Sequence, residues 1–273
     1  MKRILLISLG FTQVLAAQEL PKVRLAELDA HPFPKISNYQ PVFEPGEQLE
    51  YAFQFGFIEA ASASIAITEK GSLQGRDAWN ITVNGQTNGA FRWVFEVNDR
   101  YQSTIDSKTG LPLIFERDIN EGGYELYQNY RFDWTTNSVR TEQSRGTDLP
   151  QTSRFALPGV AHDMVSGLYA LRQVDWANVS SADTVFIPLF MDEEWFDLKL
   201  TKKGTKNIEV NGRHWDCIVI QPIIQTGRIW ENSTDLTVYI SNDGRHIPVL
   251  AETQILFGKI KMQLTNATGL RNL

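Results

Sequence analysis

From Gly46 onward the sequence alternates apolar and polar residues with a period of two, and this pattern limits the choice of fold more than any other feature. Successive side chains of a strand point to opposite faces, so each alternating run predicts a strand with one buried and one solvated face. About 13 strands are predicted in this way. The clearest runs lie at residues 79–84, 125–132, 196–201, 236–241 and 259–264. The pattern therefore predicts an all-β, mainly antiparallel protein.

Turn signals that contain glycine separate several of these runs. They lie at Lys70-Gly71, Asn84-Gly85, Glu121-Gly122-Gly123, Asn211-Gly212 and Asn242-Asp243-Gly244. Such sequences favour the tight turns of β-hairpins. We therefore expect consecutive strands to pair as neighbours in a curled sheet, or in an open or closed barrel.

One segment in the middle of the chain departs from this alternation. Between Ala161 and Arg172 the apolar residues recur at helical spacing, and Asp163 suits the first turn of a helix. We therefore predict one central helix near residues 161–173, between two groups of strands. A weak repeat links these groups, because both Tyr101 and Tyr239 begin a strand that is followed by a turn and a proline. Either an internal duplication or shared hairpin chemistry explains this repeat.

The amino terminus has the parts of a secretory signal peptide. Lys2 and Arg3 precede a short apolar run at residues 4–11, and small residues follow at Ala16 and Ala17. The run is too short to span a bilayer as a helix. We expect residues 1–17 to be a signal peptide cleaved near Ala16 or Ala17, which sends the protein to the periplasm or beyond. Residues 18–42 then form a proline-rich leader, and residues 43–273 form a single β domain that consists of two similar halves if the repeat is a duplication.

The composition of the chain argues against nucleic-acid binding, a membrane-spanning helix and an internal disulfide. The net charge of −6 and the pI of about 5.3 argue against nucleic-acid binding. No later segment is apolar over the roughly 18 residues of a membrane helix, so we do not expect an integral membrane protein. Cys217 is the single cysteine, so no internal disulfide forms, and its neighbours predict a buried strand.

Several motifs resemble an uncharacterised family of exported bacterial proteins, domain of unknown function 3108, which is frequent in Bacteroidetes envelopes. The resemblance covers residues 43 to 268. It is carried by residues 43–51, 55–58, 99–101, 109–112, 162–172, 238–243 and 247–249. It implies an exported β protein without an established activity, and its general shape invites comparison with open β-barrels that carry lipids or lipoproteins.

Catalytic and metal-binding signatures are weak in this sequence. His162 and Ser166 are four residues apart, but Asp163 would point away from His162, and no nucleophile elbow surrounds Ser166. The four histidines form no zinc pattern, and Asp192-Glu193-Glu194 lacks the spacing of a calcium loop and is interpreted as a solvated turn. We therefore predict no catalytic residues, no metal site and no cofactor.

Aromatic and basic residues near strand ends are the better candidates for binding. Such groups at a barrel mouth suit stacking on sugars or contact with an acyl chain, although they are also common at the ends of a packed core. The candidate ligand-binding residues are Trp93, Arg100, His162 and Arg172.

The sequence favours a soluble, non-enzymatic envelope protein that binds or carries a hydrophobic or lipidic ligand, with the central helix as a lid or plug. One alternative is a glycan-binding or glycan-active protein. Another is an assembly factor that binds an envelope protein partner through an apolar patch or a strand edge.

Overall fold

The structure, a computed structural model, describes residues 39–73, 75–89, 91–223, 236–255 and 258–273. The predicted signal peptide and most of the leader lie outside these residues. Fourteen strands and two helices are present in the described part of the chain. The strands are β1 (Gln48–Phe55), β2 (Ile58–Leu73), β3 (Arg76–Thr87), β4 (Asn98–Asp106), β5 (Pro112–Glu121), β6 (Tyr124–Asp133), β7 (Ser138–Arg145), β8 (Gln151–Ala156), β9 (Thr184–Met191), β10 (Glu194–Val210), β11 (Arg213–Pro222), β12 (Leu236–Ser241), β13 (Pro248–Ile255) and β14 (Gly258–Thr268). The helices are α1 (Phe91–Val94) and α2 (Met164–Arg172).

All fourteen strands belong to one antiparallel sheet that is not closed. The order is β8-β7-β6-β5-β4-β3-β2-β1-β14-β13-β12-β11-β10-β9. Strands that are consecutive in sequence are neighbours, with the exception of β8 and β9. The first strand also pairs with the last, for example Leu49 opposite Ala267. The two free edges are therefore β8 and β9, which come from the middle of the chain. This architecture confirms the predicted all-β curled sheet.

The glycine signals divide into true turns and irregularities within strands. Glu121-Gly122-Gly123, Asn211-Gly212 and Asn242-Asp243-Gly244 lie at or next to hairpin turns, as predicted. Lys70-Gly71 instead lies inside β2, where the register with β3 shifts at Gly71. Asn84-Gly85 lies within β3 and ends no strand. A bulge leaves one residue unpaired, but pairing resumes on both sides of it, so neither glycine ends its strand.

The sheet curls until the residues near one free edge face the other. The Phe190 ring of β9 lies 5.5 Å from the Tyr130 ring, 6.3 Å from the Phe132 ring and 5.7 Å from the Phe155 ring, measured between centroids. Phe155 belongs to β8, the opposite edge strand. The concave side is therefore a packed aromatic core in the described part of the chain.

Helix α2 lies against this core and packs on β3, β4 and β9. It begins at Met164, later than predicted, because His162 is extended and forms a parallel bridge with Leu189 of β9. The Asp163 side chain caps the helix by accepting hydrogen bonds from the backbone N–H groups of Val165 and Ser166, at 2.8 and 2.9 Å. The Ser166 hydroxyl accepts a hydrogen bond from the Asp163 N–H at 3.0 Å, which completes a capping box.

The two hairpins of the sequence repeat have the same local design. The Asp106 N–H at the end of β4 donates to the Leu111 carbonyl at 2.9 Å, and the Ser241 N–H at the end of β12 donates to the Ile247 carbonyl at 2.8 Å. In both hairpins the register shifts just after the proline that begins the next strand. Shared turn chemistry accounts for this similarity as well as a duplication does, so the duplication stays a prediction.

Candidate functional site: an apolar rim above a buried polar cluster

Several connections between strands meet at one end of the sheet. Because the strands are antiparallel neighbours, the β1–β2, β3–β4, β5–β6, β7–β8, β9–β10 and β13–β14 connections all lie at this end. We call it the upper end. The helix α1 belongs to the β3–β4 connection and was not predicted, since four residues carry no recognisable periodicity.

The upper end exposes apolar side chains at successive connections. Phe57 of the β1–β2 turn is fully exposed, Trp93 of α1 is 94% exposed and Leu149 of the β7–β8 connection is 87% exposed. Ile58 and Tyr124 are also exposed at the starts of β2 and β6. We call these five residues the apolar rim. Single exposed apolar residues are ordinary, but a set at one end of a molecule indicates an interaction surface.

Hydrogen bonds hold three of these connections beside one another. The Asn88 N–H donates to the Ala60 carbonyl at 2.9 Å, and the Asn88 amide donates to a Glu59 carboxylate oxygen at 2.9 Å. On the other side of α1, the Gly122 N–H donates to the Glu96 carbonyl at 2.7 Å. These bonds place the β1–β2, β3–β4 and β5–β6 connections, where four of the five rim residues lie, side by side along the upper end.

A pair of acidic residues lies inside the sheet below these connections. Asp99 of β4 and Glu121 of β5 are buried and share a hydrogen bond. Burial, and next the negative charge of Asp99, raise the pKa of Glu121 to about 8. Burial also raises the pKa of Asp99, although its hydrogen bonds, including one from the Asn120 N–H at 3.0 Å, oppose this shift. The pair therefore holds a proton near neutral pH.

The β9–β10 turn reaches across the curl to the same region. Asp192 accepts a hydrogen bond from the buried Arg117 of β5 at 3.2 Å, and Glu193 accepts one from the Thr141 hydroxyl of β7 at 2.7 Å. Both turn residues have positive φ, of 51° and 67°. The interpretation of Asp192-Glu193-Glu194 as a merely solvated turn is therefore corrected, because its carboxylates bind strands on the far side of the sheet.

Some buried polar atoms of this region have no hydrogen-bond partner among the described residues. They are Arg117 Nε, Glu121 Oε1, Gln128 Oε1 and Tyr130 Oη, all on the inner faces of β5 and β6. Buried groups of this kind are ordinarily satisfied by ordered water or by a ligand. The polar cluster of Asp99, Arg117, Glu121 and Gln128 is therefore suited to hold water, and its perturbed carboxyl pair marks it as a site of interest.

Two of the four predicted binding residues lie at the surface. Trp93 is part of the apolar rim. Arg100 of β4 is exposed and donates a hydrogen bond to the Gln102 side chain at 2.7 Å. The structure does not bring them together with the other two predicted residues in one site, and a ligand contact for any of the four stays a prediction.

The other two predicted residues take part in internal contacts. His162 is partly buried, and burial lowers its pKa to about 4. Its Nδ1 is inaccessible and has no hydrogen-bond partner in the part of the chain that the structure describes. The Arg172 side chain has no exposed surface and forms a two-pronged ion pair with Glu47, at 2.6 and 2.9 Å. Its Nε donates to the Arg245 carbonyl at 3.0 Å. The guanidinium of Arg172 thus already has acceptors within the protein.

A family model matches residues 50–265 of the chain and describes a protein of unknown function, DUF3108. The chain belongs to the DUF3108 family. This confirms the resemblance seen in the sequence. A search of the curated proteins finds no match.

Among solved structures, the DUF3108 chain is similar to the crystal structure of a β-barrel-like protein of domain of unknown function DUF1849 from Brucella abortus. The TM-score is 0.53 at 8% sequence identity, and the match covers 85% of this chain and 100% of that chain. At this identity the similarity concerns the fold alone, and it agrees with a curled, barrel-like sheet.

Sequence reasoning missed the polar cluster. Asp99 and Arg117 look like ordinary polar residues of alternating strands, and their burial depends on the curl of the whole sheet. The sequence did contain one indication of this burial. Arg117 and Glu121 alternate in step with the apolar residues Phe115 and Ile119, so all four side chains point to the same face of β5. Within the described ranges, no group of three or more His, Cys, Asp or Glu side chains could hold a metal ion, and neither helix has the length and apolar character needed to span a bilayer.

Proposed function

We propose that this protein is an exported, non-enzymatic component of the bacterial envelope that binds a lipid surface through its apolar rim. The observation that carries the proposal is the exposure of Phe57 and Trp93 at adjacent connections of the upper end. Burying such a side chain in an apolar environment gains about 1.5–3 kcal/mol, so the rim supplies a sizeable free energy of binding.

The packed interior favours the rim over an internal ligand site. Tyr130, Phe132 and Phe190 fill the concave side, and Val165 and Tyr169 of α2 pack into the same core. A carrier with a lipid inside the curl would need these groups to move apart. A lipid contact at the end of the sheet needs no such rearrangement.

The form of the rim favours a lipid surface over the alternatives. Its exposed side chains come from several neighbouring connections, and a membrane interface accepts aromatic side chains at separate points. A glycosidase requires two carboxyl groups roughly 5 to 9.5 Å apart about its substrate. The Asp99–Glu121 pair is instead in direct contact and buried.

The envelope location rests on the signal-like residues 2–17 and on the family resemblance. The first 38 residues lie outside the described part of the chain. Export is therefore part of the proposal.

Cosedimentation with phosphatidylcholine vesicles tests the lipid contact. The native protein should sediment with the vesicles, and a Phe57→Ser, Trp93→Ser double variant should bind at least about tenfold more weakly, because two apolar side chains no longer enter the interface. The matched control is Phe186→Ser. Phe186 is 51% exposed but lies on β9 near the opposite end, so its replacement should leave vesicle binding unchanged.

Two results would contradict the proposal. One is a native protein that stays in the supernatant with every vesicle. The other is equal loss of binding in the double variant and in Phe186→Ser. Capture of a single envelope protein in equimolar amount through Phe57 and Trp93, without vesicle binding, would identify an assembly factor instead.

A further inference from the structure

Three arginines form a row across the outer face of the sheet near its free edge. Arg131 of β6 lies opposite Arg140 of β7, and Arg140 lies opposite Arg154 of β8. Tyr130 and Phe132, the neighbours of Arg131 in sequence, point into the core, so Arg131 points outward. All three arginines are exposed. The row is thus a strip of positive charge on a chain whose net charge is −6.

Two clefts lie along this arginine row. One, of about 350 Å³, is lined by Asn129, Arg131, Arg140 and Glu142. The other, of about 540 Å³, also has Arg131 and Arg140 in its wall. Its remaining lining residues are Arg76, Phe132, Asp133, Thr135, Ser138 and Arg154. Four arginines and two carboxylates therefore line the two clefts, which leaves an excess of positive charge.

Neither Arg131 nor Arg140 has a charged partner among the residues that the structure describes. Arg154 is held by the Ser138 hydroxyl at 2.9 Å and lies 3.9 Å from an Asp133 oxygen, and Arg76 is paired with Asp106. For Arg131 and Arg140, no hydrogen bond or ion pair is formed with any residue in the described ranges. Their ten N–H donors, five for each guanidinium, are available to an acceptor from outside the chain.

Like charges directly opposite each other on neighbouring strands destabilise a sheet. The row contains two such pairs, Arg131–Arg140 and Arg140–Arg154, so the free protein bears an electrostatic cost. A bound anion would remove this cost, because each guanidinium forms two-pronged hydrogen bonds with phosphate oxygens.

We propose that the row of Arg131, Arg140 and Arg154 is a binding site for phosphoryl groups. Neighbouring strands are about 4.8 Å apart, so three arginines span about 10 Å. One phosphoryl group bridges two of them, and two linked phosphoryl groups bridge all three. The site is separate from the apolar rim, because it lies on the outer face of β6 to β8 beside the β6–β7 turn, at the end of the sheet opposite the rim. Its ligand is either a free phosphate compound or a phosphate in a lipid headgroup.

Thermal unfolding of the full chain with inorganic pyrophosphate tests the site. In buffer of low ionic strength, pyrophosphate at millimolar concentration should raise the native Tm by at least about 2 °C, because a ligand that binds only the folded state stabilises it. An Arg131→Gln, Arg140→Gln double variant should show less than about a quarter of this shift. In 0.5 M NaCl the native shift should also shrink, since salt screens exposed charges.

Stability without ligand distinguishes a binding role from a structural one. Removing the central charge in Arg140→Gln should raise the Tm of the free protein by about 1–3 °C, because both repulsive pairs disappear. A structural role would instead make this variant less stable. The matched control is Arg145→Gln on the same strand, opposite Leu126 and outside the row, which should keep the full pyrophosphate shift.

Vesicles separate the two sources of phosphate. If the ligand is a lipid headgroup, the native protein prefers phosphatidic acid to phosphatidylcholine, and the double variant loses the preference but keeps phosphatidylcholine binding through the rim. If the ligand is a free phosphate compound, the native protein and the double variant differ in the Tm shift with pyrophosphate but bind the two kinds of vesicle alike. The proposal is overturned if the native protein and the double variant respond equally to both probes, or if Arg140→Gln lowers the Tm of the free protein.

Discussion

Glu47 and Arg172 meet in the core and connect the start of β1 to the end of α2. Tyr169 donates a third hydrogen bond to Glu47 at 3.0 Å, and the guanidinium lies 4.9 Å from the Tyr169 ring centroid and 5.6 Å from that of Phe43. The sequence analysis selected Arg172 as a functional residue but assigned it to ligand binding. The ion pair with Glu47 could not be predicted, because the two residues are 125 positions apart in the chain.

Arg172→Met should lower the free energy of unfolding by about 3–5 kcal/mol, because it leaves the Glu47 carboxylate buried without its counter-charge. Urea unfolding measures this loss. A Glu47→Leu, Arg172→Met double variant should recover part of it, since no isolated charge remains.

The control for this ion pair is Arg245→Met, which removes an exposed partner of Asp243 at 2.9 Å. It should cost less than about 1 kcal/mol. Equal losses in Arg172→Met and Arg245→Met would contradict the structural role of the buried pair.

At the scale of elements, α2 was predicted from its apolar spacing, and its start was misplaced by a few residues. Helical periodicity cannot distinguish the helix from an extended entry segment, and only the bridge of His162 to Leu189 fixes that segment. The first turn is set by Asp163, whose second carboxylate oxygen also accepts a hydrogen bond from the Ser103 hydroxyl of β4 at 2.6 Å. One side chain thus caps the helix and attaches it to the sheet.

Asp163→Ala should therefore destabilise the protein by about 2 kcal/mol or more, because it removes the cap and leaves the buried Ser103 hydroxyl without its acceptor. Asp163→Asn keeps an acceptor oxygen and should cost clearly less in the same urea titration. Ser166→Ala, which removes only the other half of the capping box, is a second comparison. The role of the cap would be refuted if all three variants unfolded at the native urea concentration.

At the scale of the whole molecule, the alternation of the sequence predicted the strands and their consecutive pairing. It did not predict which polar residues are enclosed, because Arg117 and Asp192 approach each other only when the sheet curls. The apolar rim was recognised in part through Trp93. The arginine row depends on the registers of three strands, which a single sequence does not specify.

The buried carboxyl pair makes global stability depend on pH. Glu121 has a pKa of 4.5 in the unfolded chain and about 8 in the native protein. Below pH 4.5 both states hold the proton, and between pH 4.5 and about 8 only the native state does, so stability should fall as the pH rises through this window. Chemical unfolding at a series of pH values measures this decline, and Glu121→Gln should remove most of it.

Glu125→Gln, a change at an exposed position of β6, is the control and should keep the native pH dependence. If Glu121→Gln and the native protein lose stability in parallel between pH 5 and 8, the proton is held elsewhere.

The pairing of β1 with β14 has a consequence for the rate at which the molecule folds. Among the described strands, twelve of the thirteen pairings join neighbours in sequence. Leu49, in contrast, meets Ala267 only after nearly the whole domain has been synthesised. Closing so long a loop is entropically slow, so the two sets of consecutively paired strands, β1–β8 and β9–β14, should form early and join last. Until they pair, β1 and β14 each expose an unpaired strand edge, and such edges make a partly folded chain prone to aggregation.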